Sequence, residues 1–300
     1  MGERVSKFKT IFSIVRGWKN ALVLDFVGND NIGWYKGCLW ATPSPGVGER
    51  STSIYDCPFE DDQKAKVAEF TARYRQLTRA PRLAPPSGQF HRNEFDFIAV
   101  LGFSGHTTIL QCIDKRDKNG VSYALRRVKK EQNHGKAAMR EKHILLAVDY
   151  PFILTLYETF YDNAYIYFMM ELSPCGTLLA YTNCKHVGED LTVFWIAQLV
   201  LVVEYLHAAN IIHRDIRLGN MWIQCNGYIK LANFSAAKCL DECANGRTRT
   251  FRGTLYYMAP EIMCRKYYGK EVDWWTVGIT THALLYVRVS TARLFYCYTK

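Results

Sequence analysis

The stretch that decides the fold is His213-Arg214-Asp215-Ile216-Arg217-Leu218-Gly219-Asn220. It follows Leu191 to Ala208, whose apolar face predicts a long helix. Two further short segments come after it in a fixed order, Asn233-Phe234-Ser235 and Ala259-Pro260-Glu261. A single tripeptide would carry no information, so the order and spacing of all these segments are what indicate a defined fold.

These segments resemble protein kinases. Residues 213–220 match the catalytic-loop motif H-R-D-x-x-x-x-N, residues 233–235 stand where kinases carry D-F-G, and residues 259–261 match A-P-E. Asp149-Tyr-Pro-Phe-Ile, Gly253-Thr254 and Val272-Asp-Trp-Trp are similar to the AGC group of serine/threonine kinases. The resemblance covers residues 93–280 and implies an α+β, bilobal fold, with a small antiparallel β-rich N-lobe and a mainly helical C-lobe.

Composition fits such a protein. The chain has 300 residues, 49% of them hydrophobic and 22% charged, which disfavours collagen-like, disordered and transmembrane classes. The apolar run Val193 to Val203 is too short to span a bilayer. The ten cysteines are scattered, which indicates free thiols in a cytoplasmic protein and disfavours a zinc site.

Composition shifts divide the chain into four parts. Residues 1–60 form a flexible basic tail and linker, and 61–90 an amphipathic docking helix, beginning after Asp61 or Asp62, with a proline-rich linker. The N-lobe takes 91–172 and the C-lobe 173–300. Because the family's last helices and hydrophobic tail have no counterpart here, we expect an incomplete C-lobe.

The local patterns also predict individual elements. These are strands at Phe95–Leu101, Thr107–Asp114, Ser122–Val128 and Tyr165–Leu172, and helices at Lys136–Val148 and Leu191–Ala208.

The resemblance assigns roles in the catalytic loop. Asp215 stands at the base position and Arg217 at the position of a cation near the transferred phosphoryl group. Asn220 and Asn233 stand at the two metal-ligand positions. Since Asn233 replaces an aspartate, its neutral amide would ligate a hard cation such as Mg²⁺ less well.

The resemblance also outlines an ATP site. Gly102, Ser104, Gly105 and Ile109 fall in the glycine-rich loop, where only Gly102 is in register and Ser104 restricts positive φ. The remaining candidates for cofactor binding are Ala124, Arg126, Glu141, Met170, Glu171, Leu172 and Trp222.

Several of these residues have two interpretations. Arg126 takes the place of the strand lysine, and Glu141 either pairs with it or belongs to a solvated helix face. Trp222 either fills the purine pocket or turns outward into the core. Thr250 is either a phosphorylation site facing Arg214 or an exposed threonine in a basic loop.

Three functional hypotheses follow. The first is a pseudokinase scaffold or regulator in which ATP binding and phosphoryl transfer are weak or lost. The alternative is an active, atypical serine/threonine protein kinase that uses Asp215 as base with ATP and Mg²⁺. The third is a truncated product that does not fold stably.

The net charge of +10 bears on partners. We expect a protein substrate or scaffold partner and no nucleic acid, because the sequence contains no nucleic-acid module. Thr177 and Gly219 stand where AGC kinases offer acidic residues to substrate arginines, so arginine-directed specificity is not expected. Gly2 fits a loose myristoylation pattern and basic residues follow it, which together predict peripheral membrane contact. The alternative is an unmodified basic tail.

Overall fold

The computed structural model describes residues 58–79, 88–89, 91–104, 107–116, 120–130, 134–182 and 187–286. Contacts divide the chain into two compact units, residues 1–65 and 66–300. Within the first unit only 58–65 are described, and they are helical. The predicted tail with Gly2, and most of the proline-rich linker, lie outside the described residues.

The N-terminal part of the second unit is a six-stranded sheet with the order β1-β5-β6-β4-β3-β2. Five strands are antiparallel, and the short β1 adds in parallel to β5. The strands are β1 (Gly88–Gln89), β2 (Phe95–Ser104), β3 (Thr107–Asp114), β4 (Ser122–Lys129), β5 (Leu156–Tyr161) and β6 (Tyr165–Glu171). Apolar side chains of β2 to β6, among them Phe95, Leu125 and Phe160, form the core of the sheet.

Four of these strands were predicted from the sequence within a few residues. Strands β1 and β5 were missed. Strand β5, Leu-Tyr-Glu-Thr-Phe-Tyr, has no regular alternation of buried and exposed residues. It is held by its pairing with β6, which a local pattern cannot reveal.

The rest of the unit is mainly helical. The helices are α1 (Pro58–Arg79), α2 (His134–Ala147), α3 (Leu178–Thr182), α4 (Glu189–Ala208), α5 (Pro260–Met263) and α6 (Glu271–Tyr286). Short strand pairs lie beside the catalytic loop: β7 (Ile211–Ile212) with β10 (Lys238–Cys239), and β8 (Met221–Ile223) with β9 (Ile229–Leu231).

Helix α4 is longer than the apolar run that was judged too short to span a bilayer. By length and composition it passes the test for a membrane span, and it alone does so among the described residues. However, 78% of its apolar window is buried inside the protein, as in the core helix of a globular domain.

Helix α1 begins at Pro58, before the predicted Asp61 or Asp62. Proline suits the first turn because its ring fixes φ near the helical value and no amide partner is needed there. The ring of Phe70 meets Tyr205 of α4 edge-on, and the Tyr74 hydroxyl donates to Glu242 Oε1 at 2.6 Å. The amphipathic face of α1 therefore packs on the helical part of the unit.

A column of buried apolar side chains connects the sheet to the catalytic loop. Leu145, Leu156, His213 and Phe234 are all less than 8% exposed, and the His213 and Phe234 rings meet edge-on with centroids 4.7 Å apart. This packing fixes the loop and the segment after β9 relative to the sheet. Whether the C-lobe is complete stays a prediction.

Candidate active site

Asp273 of α6 anchors the catalytic loop. This fully buried carboxylate accepts hydrogen bonds from His207 Nε2 at 2.9 Å and from the backbone N–H groups of His213 and Arg214, both at 2.8 Å. Burial alone would raise the pKa of Asp273, but the hydrogen bonds, with that of His207 the strongest, hold it below its usual value. The charged carboxylate thus fixes the start of residues 213–220.

Arg214 connects this loop to the segment that carries Thr250. Its Nε donates to Ala236 O at 2.6 Å, and its Nη1 donates to Thr250 Oγ1 at 2.6 Å and to the Tyr268 hydroxyl at 3.0 Å. The hydroxyl of Thr250 therefore contacts Arg214 while the residue is exposed, so both interpretations of that threonine stay open. A phosphate at this position would meet a buried guanidinium.

Asp215 lies at the centre of the site. Its Oδ1 accepts from Thr254 Oγ1 at 2.5 Å, and its Oδ2 accepts from Asn220 Nδ2 at 2.8 Å. The same Asn220 amide donates to the Asp215 backbone O at 2.7 Å, and Arg217 Nε lies 3.5 Å from Oδ2. The carboxylate is therefore held in one orientation beside the open cleft.

Arg126 of β4 pairs with Glu141 of α2 in the interior of the site. Nη2 and Oε2 are 2.6 Å apart, and the side chains are 9% and 2% exposed. The buried position of Glu141 rules out a solvated helix face. Arg126 Nε and Glu141 Oε1 are buried without a hydrogen-bond partner among the described residues.

Asn233 has its amide turned inward. Its Nδ2 lies 3.3 Å from both Asp215 Oδ2 and Asn220 Oδ1 and donates to each of them. Its Oδ1 accepts from Ser235 Oγ at 2.7 Å and from Arg126 Nη1 at 3.4 Å. The amide nitrogen of Asn233 thus bonds both to Asn220, the other predicted metal ligand, and to Asp215 at the base position.

This arrangement does not fit a bridging Mg²⁺. Magnesium requires a nearly octahedral set of oxygens and is usually held by one or two carboxylates. Here neither predicted metal ligand, Asn220 or Asn233, carries a carboxylate, and the Asn233 amide presents N–H groups to Asn220 Oδ1 and to Asp215 Oδ2. Asn220 Oδ1 is already an acceptor from Asn233. The two predicted metal ligands lie together, but as partners of each other.

A cavity of about 750 Å³ opens between the sheet and the catalytic loop. Most predicted site residues line it: Gly102, Ile109, Ala124, Arg126, Glu141, Met170, Glu171, Leu172, Asp215, Arg217, Asn220, Trp222 and Asn233. Gly105 and the side chain of Ser104 lie outside what the structure describes. The buried, unpartnered Arg126 Nε could satisfy an anionic group such as a phosphate.

The opposite end of the cavity suits a flat apolar group. Trp222 lines it and is half-buried, so it has not turned outward into the core. The backbone N–H groups of Leu172 and Ser173 donate to no backbone group in the described part of the chain. These free polar groups between apolar walls fit the edge of a purine ring.

Sequence reasoning missed several partners of the site. Thr254 was noted only as part of a Gly-Thr segment, Ser235 only as a lost glycine, and Lys230 not at all, although its Nζ lies 2.7 Å from Glu171 Oε2. Thr254 and Lys230 are far in sequence from the residues that they contact, so no local pattern reports these two contacts, whereas Ser235 lies only two residues after Asn233.

Comparison with known proteins agrees with this geometry. The family model "Protein kinase domain" matches residues 95–292. The cAMP-dependent protein kinase catalytic subunit PRKX of Homo sapiens is 32% identical over 250 residues, 81% of this chain and 66% of that protein.

Two Caenorhabditis elegans proteins are similar at the same level. Serine/threonine-protein kinase akt-1 is 32% identical over 198 residues, 64% of this chain and 36% of that protein. Protein kinase C-like 1 is 33% identical over 206 residues, 67% and 29% of the two chains. The chain thus spans between 29% and 66% of the length of these three relatives.

Proposed function

The chain belongs to the protein kinase family, related to the AGC serine/threonine kinases, and we propose that it acts mainly as a pseudokinase, a scaffold or regulator in which phosphoryl transfer is weak or lost. The observation that carries this proposal is the inward amide of Asn233, which donates to Asp215 and Asn220. Phosphoryl transfer depends on cations that neutralise the developing charge. A site whose oxygens already bind an amide does not recruit that cation well.

The cleft still offers a place for a nucleotide. Arg126 provides a buried cation with an unpartnered Nε, and Leu172 and Ser173 provide free backbone N–H groups. We propose that ATP binds through these groups without needing a bridging Mg²⁺. Bound ATP would then stabilise the two lobes against each other and act as a structural ligand.

A second function, an active atypical serine/threonine kinase, is favoured by one observation. Asp215 is fixed by Thr254 and Asn220 and lines the cavity, as a base that orients an acceptor hydroxyl requires. In this alternative, Arg217 supplies the cation near the phosphoryl group.

Phosphoryl transfer from labelled ATP to a mixed protein substrate separates the two functions. For the pseudokinase we expect the wild-type chain to match the Asp215→Asn control. The double variant Asn233→Asp with Arg126→Lys should raise transfer by about 10²-fold or more, since one preorganised contact is worth that much. Wild-type transfer well above the Asp215→Asn control would instead establish the active kinase.

Other parts of the proposal concern location and partners. We propose a cytoplasmic protein with a protein partner or substrate and no nucleic-acid partner, and peripheral membrane contact through Gly2 and the basic N-terminus. Intact-mass analysis of protein made in a eukaryotic host would detect the acyl group on Gly2. An unmodified mass would rule out that anchor.

A further inference from the structure

Arg217 and Gly219 are sterically linked at the wall of the cleft. A Cβ at position 219 would lie 2.6 Å from Arg217 Nη1, closer than van der Waals contact allows. The guanidinium of Arg217 therefore occupies the space that a side chain at position 219 would take. Because residue 219 is a glycine, the positive charge of Arg217 lies on this wall beside Asp215.

The carboxylates that line the cavity are all engaged. Glu141 pairs with Arg126, Glu171 with Lys230, and Asp215 accepts from Thr254 and Asn220. The negative charges of Glu141 and Glu171 are therefore compensated by their cationic partners, and that of Asp215 is stabilised by two hydrogen bonds and by Arg217 at 3.5 Å.

Two arginines that line the cavity, Arg217 and Arg252, are less fully paired than these carboxylates. Arg217 is 29% exposed, and its one recorded ion pair, to Asp215, is long at 3.5 Å. Arg252 lines the same cavity, is exposed, and forms no ion pair with any residue that the structure describes. The free charge on this wall is positive.

The segment that carries Arg252 is held in place. Gly253 has φ of 123°, and a Cβ there would lie 2.4 Å from the Arg214 backbone O. The next residue, Thr254, donates to Asp215. Beside Arg252, the Phe251 ring is 42% exposed and also lines the cavity. This wall is thus a fixed surface with two cations and one apolar ring.

We propose that the wall formed by Arg217, Gly219, Phe251 and Arg252 binds an acidic peptide segment, in which aspartate or glutamate flanks an apolar residue. This inference rests on the proposed function in that the cleft engages a protein partner. A carboxylate gains most from arginine, whose planar donors match its two oxygens. An arginine-bearing peptide would meet the like charges of Arg217 and Arg252 and bind less well.

Fluorescence anisotropy with the full chain and three labelled peptides tests the proposal. The peptides share length and a central phenylalanine-serine pair and differ only in their flanking residues, which are glutamate, glutamine or arginine. In the absence of nucleotide we expect the glutamate peptide to bind at least about tenfold tighter than the arginine peptide, with the difference reduced by salt. Equal affinities, or no binding of any peptide, would overturn the proposal.

Substitutions at Gly219 and Arg252, each with a matched control, test whether this wall binds the peptide. Gly219→Glu adds a carboxylate and displaces Arg217, whereas Gly219→Gln displaces it with a neutral side chain of the same size. We expect the glutamate peptide to lose about tenfold in affinity with Gly219→Glu and less with Gly219→Gln. Arg252→Glu should lower the affinity for the glutamate peptide by a similar factor. Its control is Lys266→Glu, the same charge change at an exposed residue outside the cavity lining, which should leave that affinity nearly unchanged. Equal losses in Arg252→Glu and Lys266→Glu would mean that only overall charge matters and would contradict the proposal.

Nucleotide phosphates are the competing anion for the same arginines. If ATP displaces the glutamate peptide fully and competitively, Arg217 and Arg252 serve the nucleotide and the proposal is wrong. Binding of the peptide beside saturating ATP supports it. Because the assay needs no phosphoryl transfer, a chain that binds the peptide but proves to be an active kinase would refute only the pseudokinase proposal.

Discussion

Two regions of the site both satisfy their oxygen acceptors with hydrogen bonds from inside the protein, but the donors differ. The loop around Asp273 satisfies one buried carboxylate with three donors from His207, His213 and Arg214. The cluster of Asp215, Asn220 and Asn233, which faces the cleft, also satisfies its acceptors internally, but with an amide where the family would use a metal.

The comparison shows that the hydrogen bonds that fix the catalytic loop are distinct from the hydrogen bonds that involve the predicted metal ligands. The Asp273 network fixes the backbone of the loop and depends on no ligand. The Asn233 network occupies Asn220 Oδ1, the oxygen of the other predicted metal ligand. A well-ordered catalytic loop is therefore compatible with weak or absent phosphoryl transfer. A substitution can disrupt either set of hydrogen bonds and leave the other intact.

Breaking the Asp273 network should have the largest effect. Asp273→Asn leaves an N–H group facing donors in a fully buried site, and we expect the free energy of unfolding to fall by about 3–5 kcal/mol. Urea denaturation measures this change. The control is Glu271→Gln on the same helix, whose exposed pair with Arg247 should contribute no more than about 1 kcal/mol. Equal losses in the two variants would contradict the anchoring role of Asp273.

The Asn233 network should respond to a smaller change that depends on magnesium. Asn233→Asp removes two N–H donors and places a carboxylate next to Asp215 Oδ2. In EDTA we expect a loss of about 1–3 kcal/mol, recovered when Mg²⁺ is added.

The matched control for that experiment is Asn226→Asp, the same chemical change in the exposed turn between β8 and β9. It should alter the unfolding free energy little, with no dependence on Mg²⁺. If Asn233→Asp behaves like Asn226→Asp, the amide does not act in place of a cation.

The extent to which sequence predicted these regions differs between them. Asp215, Asn220 and Asn233 were recognised by their order along the chain, and the structure brings them together. The direction of the Asn233 amide could not be read from sequence, because it is decided by contacts with Arg126, Asp215 and Asn220, which lie on other elements. Likewise strands β2, β3, β4 and β6 followed local patterns, whereas β1 and β5, which were missed, are held by their partner strands.

Protonation of the fully buried His213 and the half-buried His143 should lower the free energy of unfolding in acid. Burial lowers the pKa of His213 below its usual 6.5, and burial together with Lys142 lowers that of His143. A lowered native pKa gives stability that is present above pH 6.5 and is lost as pH falls below it. We expect a slope of at most about 1.4 kcal/mol per pH unit for each histidine.

Urea denaturation between about pH 8 and pH 5 measures that slope. The variant His213→Phe keeps an aromatic ring against Phe234 and should flatten the dependence, leaving the part due to His143. An unchanged slope in this variant would show that His213 does not titrate with unfolding.

The smallest effect concerns the contact of Arg214 with Thr250. Thr250→Val removes one hydrogen bond of 2.6 Å to a guanidinium and should lower the unfolding free energy by about 1 kcal/mol. Thr250→Glu keeps an acceptor for Arg214 and should lose less. The reverse order of these two variants in chemical denaturation would argue against a phosphate-accepting role for this contact.

The most direct test of the central claim is the thermal shift of the wild-type chain with ATP, measured in Mg²⁺ and in EDTA. A ligand that binds only the native state raises the unfolding temperature, and the rise increases with the logarithm of the ratio of ligand concentration to Kd. Because the Asn233 amide already joins Asp215 and Asn220, we predict the same shift in both conditions. A shift that occurs only in Mg²⁺ would contradict the account, and no shift in either would remove the nucleotide from it.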